Sequence, residues 1–484
     1  MQFAVIQRIL GLLLILFSFT QVPPMLVSLL YMDGELVAFF YAFAATLIIA
    51  IMLWLPVKNQ KKELRLRDGF IIAALFWTAL GLFGALPFLF ATDPKVTYTN
   101  ALFESISGLT TTGSTILSGL DSLPKSILYY RQQLQWLGGM GIIVLAVAIM
   151  PMLGIGGMQL YRAETPGPMK DNRLTPRINS TASALWYIYL TLTIACATAY
   201  WLAGMDMFDA IAHSFSTVSI GGFSTHDASL GYFEHRPSVE IVAIVFMLLS
   251  ATNFALHFAA WRSRNIAHYF ADGEFKTYLT ILAVVGVVAS LYLYYMDVYV
   301  YLNRAFLHGI FETVSIATTT GFTTKHYQDW PSFVPVLLII TSFVGACAGS
   351  TGGGMKTIRF LLIIKQGASE VIRMVHPNAV VTVKLGGKPL PDHVISAVWG
   401  FFSAYVATFS IILLLLMLTG LDQVTAFSAT AAAINNLGPG LGAVSANYAG
   451  ITDTAKWILI FAMLFGRLEL FSLLVILTPS FWRR

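Results

Sequence analysis

Charge is what this chain has least of. Only 11% of its 484 residues are Asp, Glu, Lys or Arg, against 57% hydrophobic. With a mean hydropathy of +0.73, it is far too apolar for a soluble globular protein, which leaves a polytopic membrane protein. Cysteine is nearly absent: Cys196 and Cys347 both fall in apolar segments, so no disulfide framework is expected. The net charge of +5 would suit a nucleic-acid binder, yet the basic residues are scattered over short loops and form no basic domain. No ligand cluster of zinc-like spacing and no nucleophile beside a plausible base stands out, so an enzyme reading has little to rest on. The N-terminus carries Arg8 as its early charge and stays apolar past Leu30. It reads as a retained membrane helix rather than a cleaved signal.

What is present is one motif in four copies: Ala101 to Thr115 (ALFESISGLTTTGST), Ala210 to Ser224 (AIAHSFSTVSIGGFS), Gly309 to Thr323 (GIFETVSIATTTGFT) and the degenerate Phe427 to Gly440 (FSATAAAINNLGPG). With Gly113, Gly222, Gly321 and Gly438 taken as equivalent, the spacings are 109, 99 and 117 residues, a long-period internal repeat. Each copy is an apolar run too short to cross a bilayer, ending in small or hydroxyl residues and a glycine. It predicts a half-helix closed by a turn. Such a helix end has carbonyls without intrahelical partners and the negative end of the dipole, both favourable to a cation, and the glycine lets carbonyls turn toward an axis. Four such ends around one axis would form a ring of oxygen ligands able to replace an ion's water shell. Any single copy alone would also pass for an ordinary turn.

Apolar segments of roughly 20 residues, enough to cross a bilayer, lie near 9 to 31, 36 to 57, 70 to 92, 133 to 155, 183 to 204, 238 to 261, 277 to 300, from Pro331, 393 to 418 and 456 to 479. Ten spans are expected: a leading hairpin (1–68), then four helix, motif, helix repeats at 69–177, 178–274, 275–391 and 392–484. Lys and Arg number 21 on one set of connections and 7 on the other, which places both termini in the cytoplasm by the positive-inside rule. Fifteen acids fall on the outer side with the four motifs. They would concentrate cations there, or simply keep outer loops soluble.

Two irregularities interrupt this plan. Between Thr341 and Arg359, Gly345, Gly349, Gly352, Gly353 and Gly354 flank Ser350 and Thr351, a poor helix interior at roughly 1 kcal/mol per glycine. The helix is expected to break there. Broken backbone in a bilayer must be buried in protein or line a wet cavity, so the stretch 345–354 is a candidate gate, with close packing by small residues as the alternative. It lacks the spacing of a phosphate-binding P-loop. Arg467 falls near the middle of the last span, at a cost of at least ~2.5 kcal/mol unless it meets a wet cavity or a partner. It is either a fixed positive charge in an ion path or half of a structural ion pair. Glu104 and Glu312 hold matching places in the first and third motifs, with His213 in the second. They are expected to brace backbone rather than bind ions, because a charge beside a pore must itself be satisfied.

TTTGS at 110–114, SIGGF at 219–223, TTTGF at 318–322, NNLGP at 435–439, GSTGGG at 349–354 and Arg467 together resemble the Trk/Ktr/HKT superfamily of potassium transporters. The resemblance covers essentially the whole chain, and the leading hairpin resembles its bacterial membrane-subunit branch. It implies an all-α membrane protein whose four repeats surround a pseudo-fourfold pore, assembled as a homodimer. It also implies a cytosolic TrkA-like nucleotide-binding ring carrying ATP, ADP or NADH, and a place in the bacterial inner membrane. The implied K+ selectivity filter is Thr110, Thr111, Thr112 and Gly113; Ser219, Ile220, Gly221 and Gly222; Thr318, Thr319, Thr320 and Gly321; Asn435, Asn436, Leu437 and Gly438. Backbone carbonyls, among them those of Thr111, Thr112, Ile220, Gly221, Thr318, Thr319, Asn435 and Asn436, would be the ligands. A glycine in every loop goes with potassium selectivity in this family, and serine in the first with sodium permeation. Gly113 matches the former. The alternative is a K+/H+ or K+/Na+ symporter working by alternating access, for which inverted repeats are expected, whereas all four motifs here start from one side.

Overall fold

The computed structural model describes residues 1–60, 66–141, 178–379, 381–386, 388–468 and 470–483. Among the described residues the protein is helical, with one two-residue strand pair, Lys384–Leu385 against Lys388–Pro389. Six described helices are long and apolar enough to cross a membrane: Phe3–Tyr31, Leu36–Val57, Arg67–Phe90, Ser183–Leu202, Gly273–Tyr295 and Asp392–Leu418. On Gly273–Tyr295 the large side chains of Val284, Val287, Val288 and Leu291 are exposed, while Gly286, Ala289 and Ser290 are buried. That inversion of the soluble pattern suits a hydrocarbon solvent, where small residues bring helices close. A Cβ on Gly309 would lie 2.5 Å from Ser290 Oγ, so the helix Leu302–Ala317 rests directly on its neighbour.

Three expected spans come out differently. The 238–261 segment is two helices, Pro237–Ser250 and Phe254–Ser263, bent by 92°. Asn253 causes the restart: its side chain caps the new helix by accepting from the Ala255 amide at 2.8 Å. The segment from Pro331 is only a 12-residue helix, Phe333–Val344, and the chain resumes helix at Thr357, so the break falls on the glycine-rich stretch. The last span stops at Arg467, where the Leu470 amide turns back to the Phe465 carbonyl. A shorter helix, Phe471–Leu477, follows. The 133–155 segment begins as the helix Lys125–Trp136 and a π-helical turn, Leu137–Gly141. Its remainder lies outside the described residues.

Four short buried helices lie within this frame: Tyr98–Leu109, Met207–Ser219, Leu302–Ala317 and Gln423–Asn435. The shortest, at 12 residues, reaches about 18 Å and cannot cross a core of about 30 Å. Thr97, Asp206 and Asp422 cap the first, second and fourth with their side-chain oxygens. The leading hairpin grips the chain on either side of the first. Glu35, almost fully buried, accepts from the amides of Thr92 and Asp93 at 3.0–3.1 Å, and Asp33 accepts from the Ser126 amide at 2.8 Å.

A buried ion pair beside the first motif also reaches the second. Arg131 Nε donates to Glu104 at 2.7 Å, its Nη1 to the Ser224 carbonyl at 2.9 Å and its Nη2 to Thr115 Oγ1 at 3.0 Å. Breaking one side of such a pair strands a charge, so Arg131→Leu should destabilise the protein by about 3–5 kcal/mol. Thermal unfolding in detergent checks this, and Arg131→Leu with Glu104→Gln should recover part of the loss.

Candidate ion pathway

The four short helices stop in the same way. Each ends on a residue with left-handed backbone, Thr111 (φ +55°), Ile220 (+57°), Thr319 (+66°) and Asn436 (+54°), followed two positions later by Gly113, Gly222, Gly321 or Gly438. The left-handed residue's amide bonds the carbonyl three back, and the next amide the carbonyl five back: Thr112 to Ser107 at 2.9 Å, Gly221 to Ser216, Thr320 to Ser315 and Leu437 to Ala432 at 2.8 Å each. This is the Schellman closure, reached without glycine at the left-handed position. A β-branched Ile220 in that conformation is strained. With the amides turned back on their own helices, the outgoing strands have carbonyls left to offer.

Those strands form a closed ring. A Cβ on Gly113 would lie 2.1 Å from the Gly221 carbonyl oxygen, on Gly222 2.0 Å from that of Thr320, on Gly321 2.1 Å from that of Leu437, and on Gly438 2.7 Å from that of Thr112. Each glycine thus abuts the carbonyl of the next unit, and the fourth returns to the first. The ring residues are buried or half-buried.

One side chain per helix braces each strand. Glu104 accepts from the Ile116 amide at 2.9 Å and Glu312 from the Thr324 amide at 2.7 Å. His213 Nε2 lies 2.9 Å from Ser224 Oγ, and Ser428 Oγ accepts from the Leu441 amide at 2.8 Å. Glu104 and Glu312 brace backbone as expected, whereas His213 holds a side-chain hydroxyl; Ser428 escaped notice because it carries no charge. Gln135 was also missed. Its Nε2 donates to the Gly221 carbonyl at 2.6 Å while its Oε1 accepts from the Phe223 amide at 3.0 Å. The signal was three glutamines, Gln132, Gln133 and Gln135, in a segment otherwise read as apolar.

The glycine-rich loop presses against the inner ends of these helices. Gly353 donates its amide to Thr319 Oγ1 at 2.7 Å and Gly354 to the Asn435 carbonyl at 3.0 Å. Thr351 Oγ1 donates to the carbonyls of Val218 and Ser250 at 3.0 and 3.2 Å. Gly345, Gly349 and Gly354 have φ near +70°, and a Cβ on Gly353 would stand 1.9 Å from the Asn435 carbonyl oxygen. Ser350 Oγ closes a turn on the Cys347 carbonyl, and Gly352 receives the Lys356 ammonium on its own carbonyl. Arg467 completes the contact: its Nη1 reaches Thr111 Oγ1 at 3.2 Å and the Thr351 carbonyl at 3.4 Å, and its Nη2 the carbonyls of Gly138 and Gly139. Lys356 and Glu274 were not anticipated. Glu274 Oε1 accepts from the amides of Ala348 at 2.7 Å and Ile358 at 3.1 Å, stitching both arms of the loop to one helix.

Away from that loop, His226 joins two outgoing strands. Its Nδ1 lies 2.5 Å from Asp121 and its Nε2 3.0 Å from Asp209, and its ring stacks on Tyr232. Burial pulls its pKa down, but the hydrogen bonds and charges of Asp209 and Asp121 lift it above the usual 6.5.

A helical membrane protein in which four helix ends meet carbonyl to glycine around a closed ring, with a broken helix beneath, is a transport protein of the pore-loop class. The family model described as "TrkH: Cation transport protein" matches residues 35–483, and the chain belongs to this TrkH family. The Trk system potassium uptake protein TrkH of Vibrio parahaemolyticus is 58% identical over the whole of both chains, and that of Escherichia coli K12 is 55% identical, again over both whole chains. The crystal structure of the potassium transporter TrkH from Vibrio parahaemolyticus superposes with a TM-score of 0.91 at 56% identity, covering both chains fully.

Because folding favours the charged imidazole, the stabilisation from the His226 contacts is complete below about pH 6.5 and is lost as pH rises through its raised folded value. The melting temperature should therefore fall by roughly 1–3 °C over that rise. Melts of the wild type and His226→Gln across the range test this, the variant lacking that part of the fall.

Proposed function

We propose that the protein takes up potassium across the bacterial inner membrane through the glycine ring, with both termini cytoplasmic. The closed ring carries this reading, since it sets a circle of backbone oxygens whose own amides are committed elsewhere. The family and the names of the whole-length relatives support it. In this reading, segments 69–177, 178–274, 275–391 and 392–484 are the four pore units, and residues 1–68 are a brace. Carbonyls of Thr111, Thr112, Ile220, Gly221, Thr318, Thr319, Asn435 and Asn436 serve the ion. The loop 345–354 and Arg467 are the gate. In the closed arrangement the Asn435 carbonyl is engaged by Gly354, so withdrawal of the loop both clears the path and frees a ligand. The protein works as a homodimer on a TrkA-like cytosolic ring that binds ATP, ADP or NADH and sets the loop's position.

Labelled rubidium uptake into liposomes holding the purified protein, with competing potassium or sodium, tests the filter. Entry should be blocked by potassium more than by sodium. In Gly113→Ser, whose added atoms meet the Gly221 carbonyl, that preference should relax. Uptake appearing only with an imposed proton or sodium gradient would overturn the channel-like pore in favour of coupled transport.

In the same assay, Arg467→Ala should raise uptake about tenfold, the factor that ~1.4 kcal/mol of lost closed-state contact produces. Unchanged or lower uptake in well-folded protein would remove Arg467 from the gate.

A further inference from the structure

A cavity of about 440 Å³ opens beside the broken helix, between the helices Gly273–Tyr295, Phe333–Val344 and Asp392–Leu418. That is within the roughly 300–1,000 Å³ of small-ligand sites. Its walls are apolar, with Phe343, Met355, Phe402 and Phe409 prominent. The two side-chain polar groups on the lining are already engaged: Thr341 Oγ1 donates to the Leu337 carbonyl at 2.7 Å, and the Tyr405 hydroxyl donates to Asn435. An occupant therefore finds no free polar partner there, and water has no reason to stay.

The mouth identifies the occupant. Ile340 and Val406 at the rim are 54% and 46% exposed. They belong to an outward belt of exposed apolar side chains on the helices that line the cavity, with Val284 and Val287 on Gly273–Tyr295 and Ile411 and Leu414 on Asp392–Leu418. In a membrane that belt meets hydrocarbon, so the medium at the mouth is lipid tail. We propose that the cavity is a binding site for a phospholipid acyl chain, whose tip reaches the stem of the loop 345–354. The stem is the inner wall: the Met355 amide donates to the Phe343 carbonyl at 3.1 Å, and Met355 itself is buried. A seated chain occupies the space into which Met355 would retreat, and so braces the loop. The site stands independently of which ion is carried; the bracing rests on the loop being the gate.

The test uses full-length protein in liposomes containing a phospholipid with a diazirine near the end of one tail. After irradiation, adducts are mapped by peptide mass spectrometry in the wild type and in Val406→Trp, which obstructs the mouth at an exposed position. The site requires adducts on Phe343 or Met355 that drop severalfold in Val406→Trp, while adducts on Val287 persist. Adducts confined to belt residues, inner adducts indifferent to the mouth substitution, or cross-links between two copies through Ile340 or Val406 would each overturn it. Rubidium uptake is read in the same preparations. A severalfold rise in Val406→Trp supports the bracing, and unchanged uptake with lost inner adducts overturns the bracing while leaving the site.

Discussion

A helix that stops inside hydrocarbon must account for its terminal polar groups without water, and the structure depends on how four helices do so. Each folds its last amides back on its own carbonyls, which leaves the outgoing strand with acceptors to present. The strands then come so close that only glycine fits between one unit and the next carbonyl. Elaborate side chains line the outside of this ring. Glu104, Glu312, Ser428 and Gln135 hold backbone in place, and His213 holds the Ser224 hydroxyl.

The broken helix uses the same surfaces from below. Its loop bonds Thr319 and Asn435, and Arg467 bonds both Thr111 and the loop. Asn435 is the junction. Its carbonyl takes the Gly354 amide, its Nδ2 donates to Ser342 Oγ at 2.9 Å, and its Oδ1 receives the Tyr405 hydroxyl. Ring, loop and the wall of the lateral cavity therefore meet on one residue, the loop through its backbone carbonyl and the cavity wall through its side chain.

Much of this was legible in the sequence because a glycine repeats after four apolar runs, preceded by hydroxyl residues in the first three. The break at Gly345 to Gly354 was legible for the same reason: five glycines are incompatible with a helix interior. Arg467 announced itself by its depth in an apolar stretch, although the helix ends there instead of running past it. What stayed hidden were charged residues that resemble boundary markers. Arg131 and Lys356 count as loop cations under a charge rule, yet both are buried, and Glu274 ties two amides distant in sequence. The bend at Asn253 hid as well, since an asparagine in an apolar run carries no periodicity signal, and its capping role exists only once the chain has turned.

The leading hairpin also constrains assembly in time. Glu35 and Asp33 emerge early in synthesis, but the amides they hold belong to Thr92, Asp93 and Ser126. Until those residues arrive, Asp33 has the Ser28 hydroxyl and the Glu35 amide of its own hairpin, while the amides that Glu35 will hold do not yet exist. The first hairpin is therefore an unfinished clamp until the segments before and after the first short helix have been made.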